Sequence, residues 1–375
     1  MFSALDCQFM ARAIALAKLG RYTTAPNPNV GCVIVKDGRI IGEGYHRQAG
    51  QEHAEVNAVT DAKQAGFSLD GACCYVTLEP CSHVGRTGSC AAMIVELGIT
   101  EVVIAMIDPN PQVAGKGIAM LEQAGVKVRL GLMESAARAL NPGFLSRVER
   151  KRPFVRLKLA GSIDAKTALA NGESQWITST HARSDVQRER AASHAILSTA
   201  TTVIRDNASL NVRHHQLGSL AEQLDRSTLR QPLRVIIDRQ QRLNSAPKTL
   251  DIFKDPSSLC LAGFAEQNQL DVAKQFTIAK GEHWLERLMA ALASAEINDL
   301  WVEAGASLAA ALLKANLVDQ LIVYQAGLLM GADAQSLVAL NGYQQMKQLQ
   351  SWRCLDIRRI GPDTKTIWVP QNEEA

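Results

Sequence analysis

The chain has 375 residues, enough for two or three domains, and 47% of them are hydrophobic, so each domain can bury a core. With 40 basic and 37 acidic residues, the formal charge of +3 makes no general case for binding nucleic acid or a membrane. No apolar run is long enough to span a bilayer, and the N-terminus lacks the basic region of a signal peptide. Because the eight cysteines are scattered and no secretory signal precedes them, we expect reduced thiols and a cytoplasmic protein.

Strands that alternate with helices are predicted for the first half. Helical spacing of apolar residues predicts a helix over residues 6–18, which Gly20 ends. Asp37-Gly38 between two β-branched runs, residues 30–35 and 39–45, predicts a hairpin. Further predicted elements are helices from His53, over 91–97 and over 117–124, and strands over 72–78, 101–107 and 126–130. This alternation predicts an α/β layered sheet, in which ligands bind at the carboxyl ends of strands.

Two short motifs carry the chemistry of a catalytic zinc site. His53, Cys81 and Cys90 supply three ligands, and Glu55 supplies a carboxylate that is not a ligand. The order His-x-Glu, Pro-Cys, Cys is that of zinc-dependent nucleobase deaminases. A structural zinc with His83 as fourth ligand, or two ordinary buried thiols, are the alternatives, although a structural site has no use for a free carboxylate.

The helix that begins near His53 must deliver two side chains to one place. Positions i and i+2 do not share a helical face, so His53 and Glu55 can both reach a metal only at the helix start. Zinc lowers the pKa of water toward neutrality. Glu55 would take the proton as hydroxide attacks the amino-bearing ring carbon, and would return it so that ammonia leaves.

The residues between the two cysteines point to a particular family. Eight residues separate Cys81 from Cys90, more than in the generic deaminase pattern. Residues 80–90, together with residues 24–31, 44–55 and 108–117, resemble the bifunctional riboflavin-biosynthesis deaminase–reductase family. The resemblance implies a cytidine-deaminase-like three-layer α/β/α domain that binds its substrate through Asn27, His46, His83 and Arg86. Gly88-Ser89 departs from the Pro-Pro that is common in the family, and we expect this to loosen the loop.

The second half begins after the basic stretch of residues 147–153, which the sequence predicts to be a solvated linker. We predict a deaminase domain over residues 1–147 and a second α/β domain over 148–375. Its predicted strands cover residues 154–160, 203–204, 233–238, 300–303, 318–324 and a terminal hairpin of 354–359 with 364–369, and its predicted helices cover 179–190 and 282–293.

A strand, a glycine turn and a helix start follow one another at residues 301–307, an arrangement that can seat a pyrophosphate on backbone N–H groups. The absence of a Gly-x-Gly-x-x-Gly motif argues against a conventional Rossmann dinucleotide site. Residues 157–164, 172–178, 190–213 and 302–305 resemble the reductase domain of the same family.

This second resemblance implies a dihydrofolate-reductase-like fold that binds NADPH. By position, the cofactor would contact Ala160, Trp176, Thr202, Asp206, Gly305, Ala306, Ser307, Leu308, Ala309, Ala310 and Ala311. The substrate would contact Ser174, Arg190, Leu210, Arg213 and Glu303, and the two arginines suit its phosphate. Two positions depart from the family, since Ala165 replaces a glycine and Arg239 replaces a small polar residue. Lys158, Asp164 and Glu303 are candidates for polarising the sugar, and structural support is the alternative for the first two.

We therefore expect a bifunctional enzyme with zinc and NADPH as cofactors, which deaminates a phosphorylated diaminopyrimidinone ribosylamine and then reduces its ribosyl group. We expect a homo-oligomer, a dimer or a tetramer, with no nucleic-acid partner and no membrane. One alternative is a monofunctional zinc nucleobase deaminase with a non-catalytic C-terminal binding domain. If such a deaminase acted on nucleic acid, it would need a groove for the single strand, lined with aromatic residues on which the bases stack. Aromatic residues make up only 5% of the chain, which argues against this alternative. A non-catalytic protein with a structural zinc is the other alternative, against which Glu55 argues.

Overall fold

A computed structural model describes residues 1–82, 88–111, 113–226, 229–265 and 270–371. The chain forms two compact units, Met1–Lys151 and Arg152–Ala375. The predicted boundary between residues 147 and 148 falls inside a helix that continues to Arg150. None of the helices in the described ranges is long and apolar enough to cross a membrane.

The first unit alternates strands and helices as predicted. Its described elements are α1 (Ala4–Ala17), β1 (Gly31–Lys36), β2 (Arg39–Tyr45), α2 (Ala54–Gln64), β3 (Cys73–Val76), α3 (Cys90–Glu96), β4 (Glu101–Ile104), α4 (Lys116–Gln123), β5 (Lys127–Leu130), α5 (Glu134–Arg138) and α6 (Pro142–Arg150), with a 3-10 turn at Lys18–Gly20. They form one described sheet in the order β2-β1-β3-β4-β5. β1 is antiparallel to β2 and β3, whereas β3, β4 and β5 run parallel. The carboxyl ends of the parallel strands therefore share one edge, as the sequence led us to expect.

Helix α2 lies unusually close to β2 because glycines face it. A Cβ at Gly44 would come within 2.4 Å of the Ala54 carbonyl oxygen, and one at Gly42 within 2.3 Å of the Ala58 carbonyl oxygen. Any larger residue at either position would push the helix away from the sheet. The two glycines thus set how closely the start of α2, where His53 is the N-cap residue, approaches β2.

The basic stretch predicted to be a solvated linker is helical in part: residues 147–150 end α6, and residues 151–153 lie between α6 and β6. Pro142 opens α6, where its missing N–H costs no hydrogen bond. Phe144 and Leu145 are buried in the core of the first unit. The linker prediction was wrong for residues 147–150, because the apolar residues that precede them extend a buried helix through these positions.

The second unit is built around a mainly parallel sheet. Its described elements are β6 (Phe154–Gly161), β7 (Lys166–Ala168), α7 (Thr180–Ala192), β8 (Ala195–Thr199), α8 (Ala200–Asp206), β9 (Leu233–Ile237), β10 (Leu259–Gly263), β11 (Lys274–Thr277), α9 (Trp284–Ser294), β12 (Asp299–Glu303), α10 (Ala306–Lys314), β13 (Gln320–Gln325), β14 (Gln335–Ser336), β15 (Trp352–Ile360) and β16 (Asp363–Pro370). Short 3-10 helices cover His214–Gln216, Gly218–Glu222, Arg242–Asn244, Asp251–Lys254, Pro256–Ser258 and Met346–Gln348.

The described strands of the large sheet follow the order β11-β10-β9-β8-β12-β6-β13-β16-β15, and β7 pairs with β14 separately. The strands from β11 to β13 are parallel, and β16 and β15 form the predicted antiparallel hairpin. The predicted strand at residues 203–204 was wrong, because these residues belong to α8. Thr199 caps that helix by accepting a hydrogen bond from the Thr202 N–H, and the neighbouring strand is β8.

Candidate active sites

The three predicted zinc ligands meet at the carboxyl edge of the first sheet. Their ligand atoms all lie within 4.8 Å of one another. The Nδ1 atom of His53 is 3.6 Å from the Cys81 sulfur and 3.4 Å from the Cys90 sulfur. Zinc bound tetrahedrally to sulfur and nitrogen would hold such atoms about 3.5 Å apart, so the group fits this ion. Nδ1 is therefore the histidine atom placed to bind it.

The two thiols differ in how readily they ionise. The hydrogen bond from the Cys90 thiol lowers the pKa of Cys81 to about 4, and His53 contributes in the same direction. Donating that bond, together with burial, places the pKa of Cys90 well above its usual range. Zinc requires both groups as thiolates, so its binding must release the proton from Cys90.

Glu55 lies in the first turn of α2 and is only 4% exposed. Burial raises the pKa of its carboxyl group above the ordinary value. A carboxyl group with a raised pKa can take up and release a proton more readily near neutral pH. His53 at the N-cap and Glu55 two residues later both lie at the helix start, and the Glu55 carboxyl group is hydrogen-bonded to the Cys90 thiol.

Asn27 and His46 lie beside this group. The His46 ring is 5.7 Å from the His53 ring, and its Nδ1 is 3.0 Å from the carbonyl oxygen of Glu52. Since a carbonyl only accepts, Nδ1 carries the proton, and Nε2 accepts from the Asn27 amide at 3.1 Å. Burial lowers the pKa of His46, which favours this neutral form. The structure thus brings together two of the four predicted substrate residues of the deaminase domain, while His83 and Arg86 lie outside the described residues.

The sequence prediction overlooked the function of Ser89. Its hydroxyl accepts a hydrogen bond from the Ala92 N–H at 3.2 Å and donates one to the Cys81 carbonyl at 2.9 Å. It therefore caps the helix that Cys90 opens and ties that helix to Cys81. Ser89 thus links the two cysteine ligands, while residues 83–87 of the loop that Gly88-Ser89 was expected to loosen lie outside the described residues. A serine before an apolar helical run was the available signal.

Glu79 is a second residue that the sequence prediction passed over. It is 4% exposed, and its carboxylate accepts hydrogen bonds from the backbone N–H groups of four residues that come after Cys81 in the sequence. These donors are Asp108 at 3.2 Å, Gly115 at 3.0 Å, Gly117 at 2.9 Å and Ile118 at 3.3 Å.

Pro80, the residue after Glu79, is in close contact with the same segment of the chain. A Cβ at Gly117 would lie 2.0 Å from the Pro80 carbonyl oxygen, so this position accepts only glycine. Glu79 and Gly117 together fix the backbone that presents Cys81, although neither contacts the ligand sulfurs.

A large open cavity of about 920 Å³ occupies the second unit at the carboxyl ends of its parallel strands. Most residues predicted for the reductase site line it: Ala160, Ser174, Trp176, Arg190, Thr202, Asp206, Leu210, Arg213, Glu303, Gly305, Ala306, Ser307, Leu308 and Ala311. Ala309 and Ala310 do not line it, and both are buried in α10.

Glu303 and Arg190 bind each other within this cavity. The Arg190 Nε and Nη2 atoms donate to the two Glu303 oxygens at 2.6 and 2.9 Å, and Nη1 donates to the Asn211 carbonyl at 2.9 Å. Trp301 adds a further hydrogen bond to Glu303 at 2.8 Å. Burial alone would raise the pKa of Glu303, but Arg190 outweighs it and lowers the pKa to about 2. Glu303 is therefore a permanent carboxylate that orients Arg190.

The other predicted polar residues differ in position. Lys158 lines the cavity and lies opposite Glu303 in the pairing of β6 with β12. Burial lowers the pKa of Lys158. Arg213 is exposed, and its one guanidinium hydrogen bond among the described residues is a long 3.4 Å bond to Gln216, so its guanidinium is available to a ligand. Asp164, a candidate for polarising the sugar, is absent from the cavity lining and instead accepts from the backbone N–H groups of residues 330 and 331. The Asp164 carboxylate therefore stabilises the loop that contains residues 330 and 331.

The cavity is strongly positive. Among the described residues that line it, the two acids are Asp206 and Glu303. The cations are Lys158, Arg183, Arg190, Arg205, Arg213, Arg239 and Arg242. Such a lining suits ligands that carry several phosphate groups.

Comparison with known families agrees with this division into two sites. The family described as cytidine and deoxycytidylate deaminase zinc-binding region matches residues 3–106, and the RibD C-terminal domain matches residues 153–366. The riboflavin biosynthesis protein RibD of Haemophilus influenzae is 47% identical over 99% of this chain and 99% of its own length. The Escherichia coli protein of the same name is 48% identical over 96% of this chain and 97% of its own.

Solved structures give the same result for the whole chain. Acinetobacter baumannii RibD matches with a TM-score of 0.89 and 42% identity, covering 98% of this chain and 99% of that one. A diaminohydroxyphosphoribosylaminopyrimidine deaminase/5-amino-6-(5-phosphoribosylamino)uracil reductase from Thermotoga maritima matches with a TM-score of 0.84 and 33% identity, over 98% and 99% of the two chains. With a zinc-type His/Cys/Cys group in one unit and a phosphate-suited cavity in the other, the chain belongs to the RibD family of riboflavin biosynthesis proteins.

Proposed function

We propose that the chain is a bifunctional enzyme of riboflavin biosynthesis. Its first unit deaminates 2,5-diamino-6-ribosylamino-4(3H)-pyrimidinone 5′-phosphate with zinc, and its second reduces the ribosyl side chain with NADPH to give 5-amino-6-ribitylaminouracil 5′-phosphate. The observation that carries the proposal is the convergence of His53, Cys81 and Cys90 beside a buried carboxyl group in a RibD chain. The alternative of a non-catalytic C-terminal domain is not favoured, since residues 153–366 match the RibD C-terminal domain.

In the first unit, His53, Cys81 and Cys90 would hold the zinc ion. Bound there, zinc acts as a Lewis acid that lowers the pKa of water. Glu55 takes the proton released as water adds to the amino-bearing ring carbon and returns it to the departing ammonia. The Asn27 amide, which donates to the neutral His46, is held in place to hydrogen-bond the pyrimidine. His83 and Arg86 complete the substrate contacts by family resemblance.

In the second unit, reduction of the sugar requires a hydride and a proton. NADPH supplies the hydride when bound. Lys158 donates the proton: burial lowers its pKa and so eases release of the proton, while the ionised Glu303 beside it favours the charged ammonium form that carries that proton. Arg213 binds the substrate phosphate, because Arg190 is already committed to Glu303. The remaining lining residues predicted from the sequence contact the cofactor or the sugar.

The test combines both activities in one preparation. Purified protein is given the phosphorylated pyrimidine with and without NADPH, and ammonia release and NADPH absorbance are followed. Replacing Glu55 by Gln should slow ammonia release by about 10²- to 10⁴-fold, with zinc content unchanged. Glu52→Gln, which alters an exposed acid nearby, serves as control. Unchanged ammonia release in the Glu55 variant would exclude the proposed proton transfer, and no NADPH oxidation after deamination would exclude the reductase.

We infer in addition a deaminase domain that ends near Lys151, a cytoplasmic location and a homo-oligomer, either a dimer or a tetramer. The two compact units and the eight free cysteines support the first two inferences. Cell fractionation tests the location, and light scattering on the purified chain tests the oligomeric state.

A further inference from the structure

We propose that Arg239 and Arg242 form a subsite for the 2′-phosphate of NADPH and so select NADPH over NADH. The inference rests on the proposed reductase function of the second unit. A phosphate monoester carries a charge of roughly −1.5 to −2 at neutral pH. A cavity that binds a phosphorylated sugar and NADPH must therefore neutralise two such groups, the phosphate of the sugar and the 2′-phosphate of NADPH. The structure supplies separate cations for each.

Arg239 follows β9, is exposed and lines the cavity. Its guanidinium carbon lies 5.0 Å from the centre of the Trp284 ring and 5.7 Å from that of Phe264. These two rings meet edge to face, with centroids 5.8 Å apart. These aromatic contacts do not neutralise the guanidinium charge, and no described residue accepts a hydrogen bond from it, so its N–H donors can bind phosphate oxygens. Arg239 is thus held in place without an acidic partner among the described residues.

Arg242 is fixed by its backbone. Its N–H donates to Asp238 at 3.0 Å, and this buried aspartate directs its second oxygen to the Leu243 N–H at 2.8 Å. The Arg242 Nη2 atom donates to the Thr201 hydroxyl at 2.6 Å, which leaves its other guanidinium donors for a ligand. Thr201 also lines the cavity, so both arginines and this hydroxyl share one end of it.

The other cations of the cavity are engaged or lie elsewhere. Arg190 pairs with a buried carboxylate, and Arg183 donates to the Thr178 carbonyl oxygen at 2.7 Å. Arg205 donates to the Gly172 carbonyl oxygen and is attracted to the neighbouring Asp206 carboxylate. Strand order separates Arg239 from the reducing centre, because β9 lies three strands from β6, which carries Lys158. At the usual strand spacing this distance is about 14 Å.

The acids of the cavity do not compete for the two arginines. Glu303 belongs to β12 and holds Arg190. Asp206 is the last residue of α8, five residues after Thr201 and therefore about 7.5 Å further along the helix axis. The end of the cavity near Arg239 is accordingly its positive end, away from both carboxylates.

Calorimetric dissociation constants for NADPH and NADH test the inference without relying on turnover. Arg239→Ser should weaken NADPH binding roughly tenfold, because it removes a charge-assisted hydrogen bond, and should change NADH binding by less than about twofold. The double variant R239S/R242Q should bind the two cofactors almost equally. Arg239→Lys, which keeps the charge but loses the planar donor edge, should fall between the wild-type protein and Arg239→Ser.

Lys280→Gln is the matched control, since Lys280 also lies over the Phe264 ring, at 5.9 Å, but does not line the cavity. An unchanged preference in the double variant, or an equal loss for NADPH and NADH, would overturn the inference. So would an increase in the KM for the phosphorylated sugar with NADPH affinity unaltered, because the subsite would then belong to the substrate. If the wild-type protein bound neither cofactor, the proposed reductase function itself would fail.

Discussion

The two sites of this chain are stabilised by different forces. In the deaminase site, buried side chains bind backbone groups: Glu79 accepts from four N–H groups, and Ser89 joins the segments of both cysteine ligands. In the reductase site, an open cavity with seven cations and two acids depends on the pair of Arg190 and Glu303. A metal ion requires ligand atoms placed within tenths of an ångström, whereas phosphate groups are bound by charge over longer distances.

This difference predicts different responses to mutation and to pH. Buried hydrogen bonds to backbone groups depend little on salt or mild acid, and their loss leaves several donors unsatisfied. Ion pairs respond to both conditions. Changes at Glu79 and at Glu303 test that contrast, and the change at Glu79 is expected to have the larger effect.

The largest effect is expected for Glu79→Ala. Four backbone N–H groups would lose their acceptor, and each unsatisfied buried donor costs about 1–3 kcal/mol, so the first unit should lose at least about 3 kcal/mol of stability. Because Cys81 is displaced as the backbone relaxes, zinc content should fall with it. Urea unfolding and metal analysis of the full chain measure both quantities.

Glu122→Ala is the matched control, since this exposed acid belongs to α4, the helix whose first turn binds Glu79. Its free energy of unfolding should change by less than about 0.5 kcal/mol. A Glu79 variant with full stability and full zinc content would show that backbone support of Cys81 has been overestimated.

The pair in the second unit should be sensitive to acid. The folded-state pKa of Glu303 is lowered from 4.5 to about 2, so its ionised form stabilises the fold above about pH 4.5, and this contribution disappears as pH falls to about 2. The difference in free energy of unfolding between wild type and Glu303→Gln should therefore shrink by about 3 kcal/mol over that interval. Chemical unfolding at a series of pH values measures it.

Glu282→Gln, a change at an exposed acid of the same unit, should differ from wild type by a nearly constant small amount over the same range. A Glu303 difference that stayed constant with pH, or grew in acid, would contradict the ion-pair account of this site.

The smallest effect concerns the backbone rather than a site. Ala165 has a φ of 56°, a conformation that favours glycine, which is the residue usual in the family at this position. Ala165→Gly should raise the melting temperature of the second unit and stabilise it by about 1 kcal/mol. Ala290→Gly, at an exposed position in α9, should have the opposite sign and a similar size. Destabilisation by both changes would show that residue 165 carries no strain.

Much of the deaminase site could be predicted because its ligands lie in short local motifs. The sequence names His53, Glu55, Cys81 and Cys90, and the structure brings the three proposed ligands together at a helix start and a strand end. The role of Glu79 could not be read, since its partners lie 29 to 39 positions further on and are backbone groups without a side-chain signature.

The reductase site was harder to predict for the same reason. Arg190 and Glu303 were both identified as substrate residues, but their pairing across 113 positions depends on the sheet order, which the sequence does not reveal. Local propensity also misled at residues 203–204, where two β-branched residues suggested a strand although Thr199 caps a helix there.

The hydrogen bonds of Glu79 have a consequence for how the loop after β4 can vary. An amide N–H is offered by every residue except proline, so the positions of Asp108 and Ile118 can change identity while the carboxylate keeps its donors. Gly115, with a φ of 75°, and Gly117, pressed against Pro80, cannot vary in this way. A saturation library over residues 108–118 should therefore yield active clones with diverse side chains, two invariant glycines and no proline at the four donor positions.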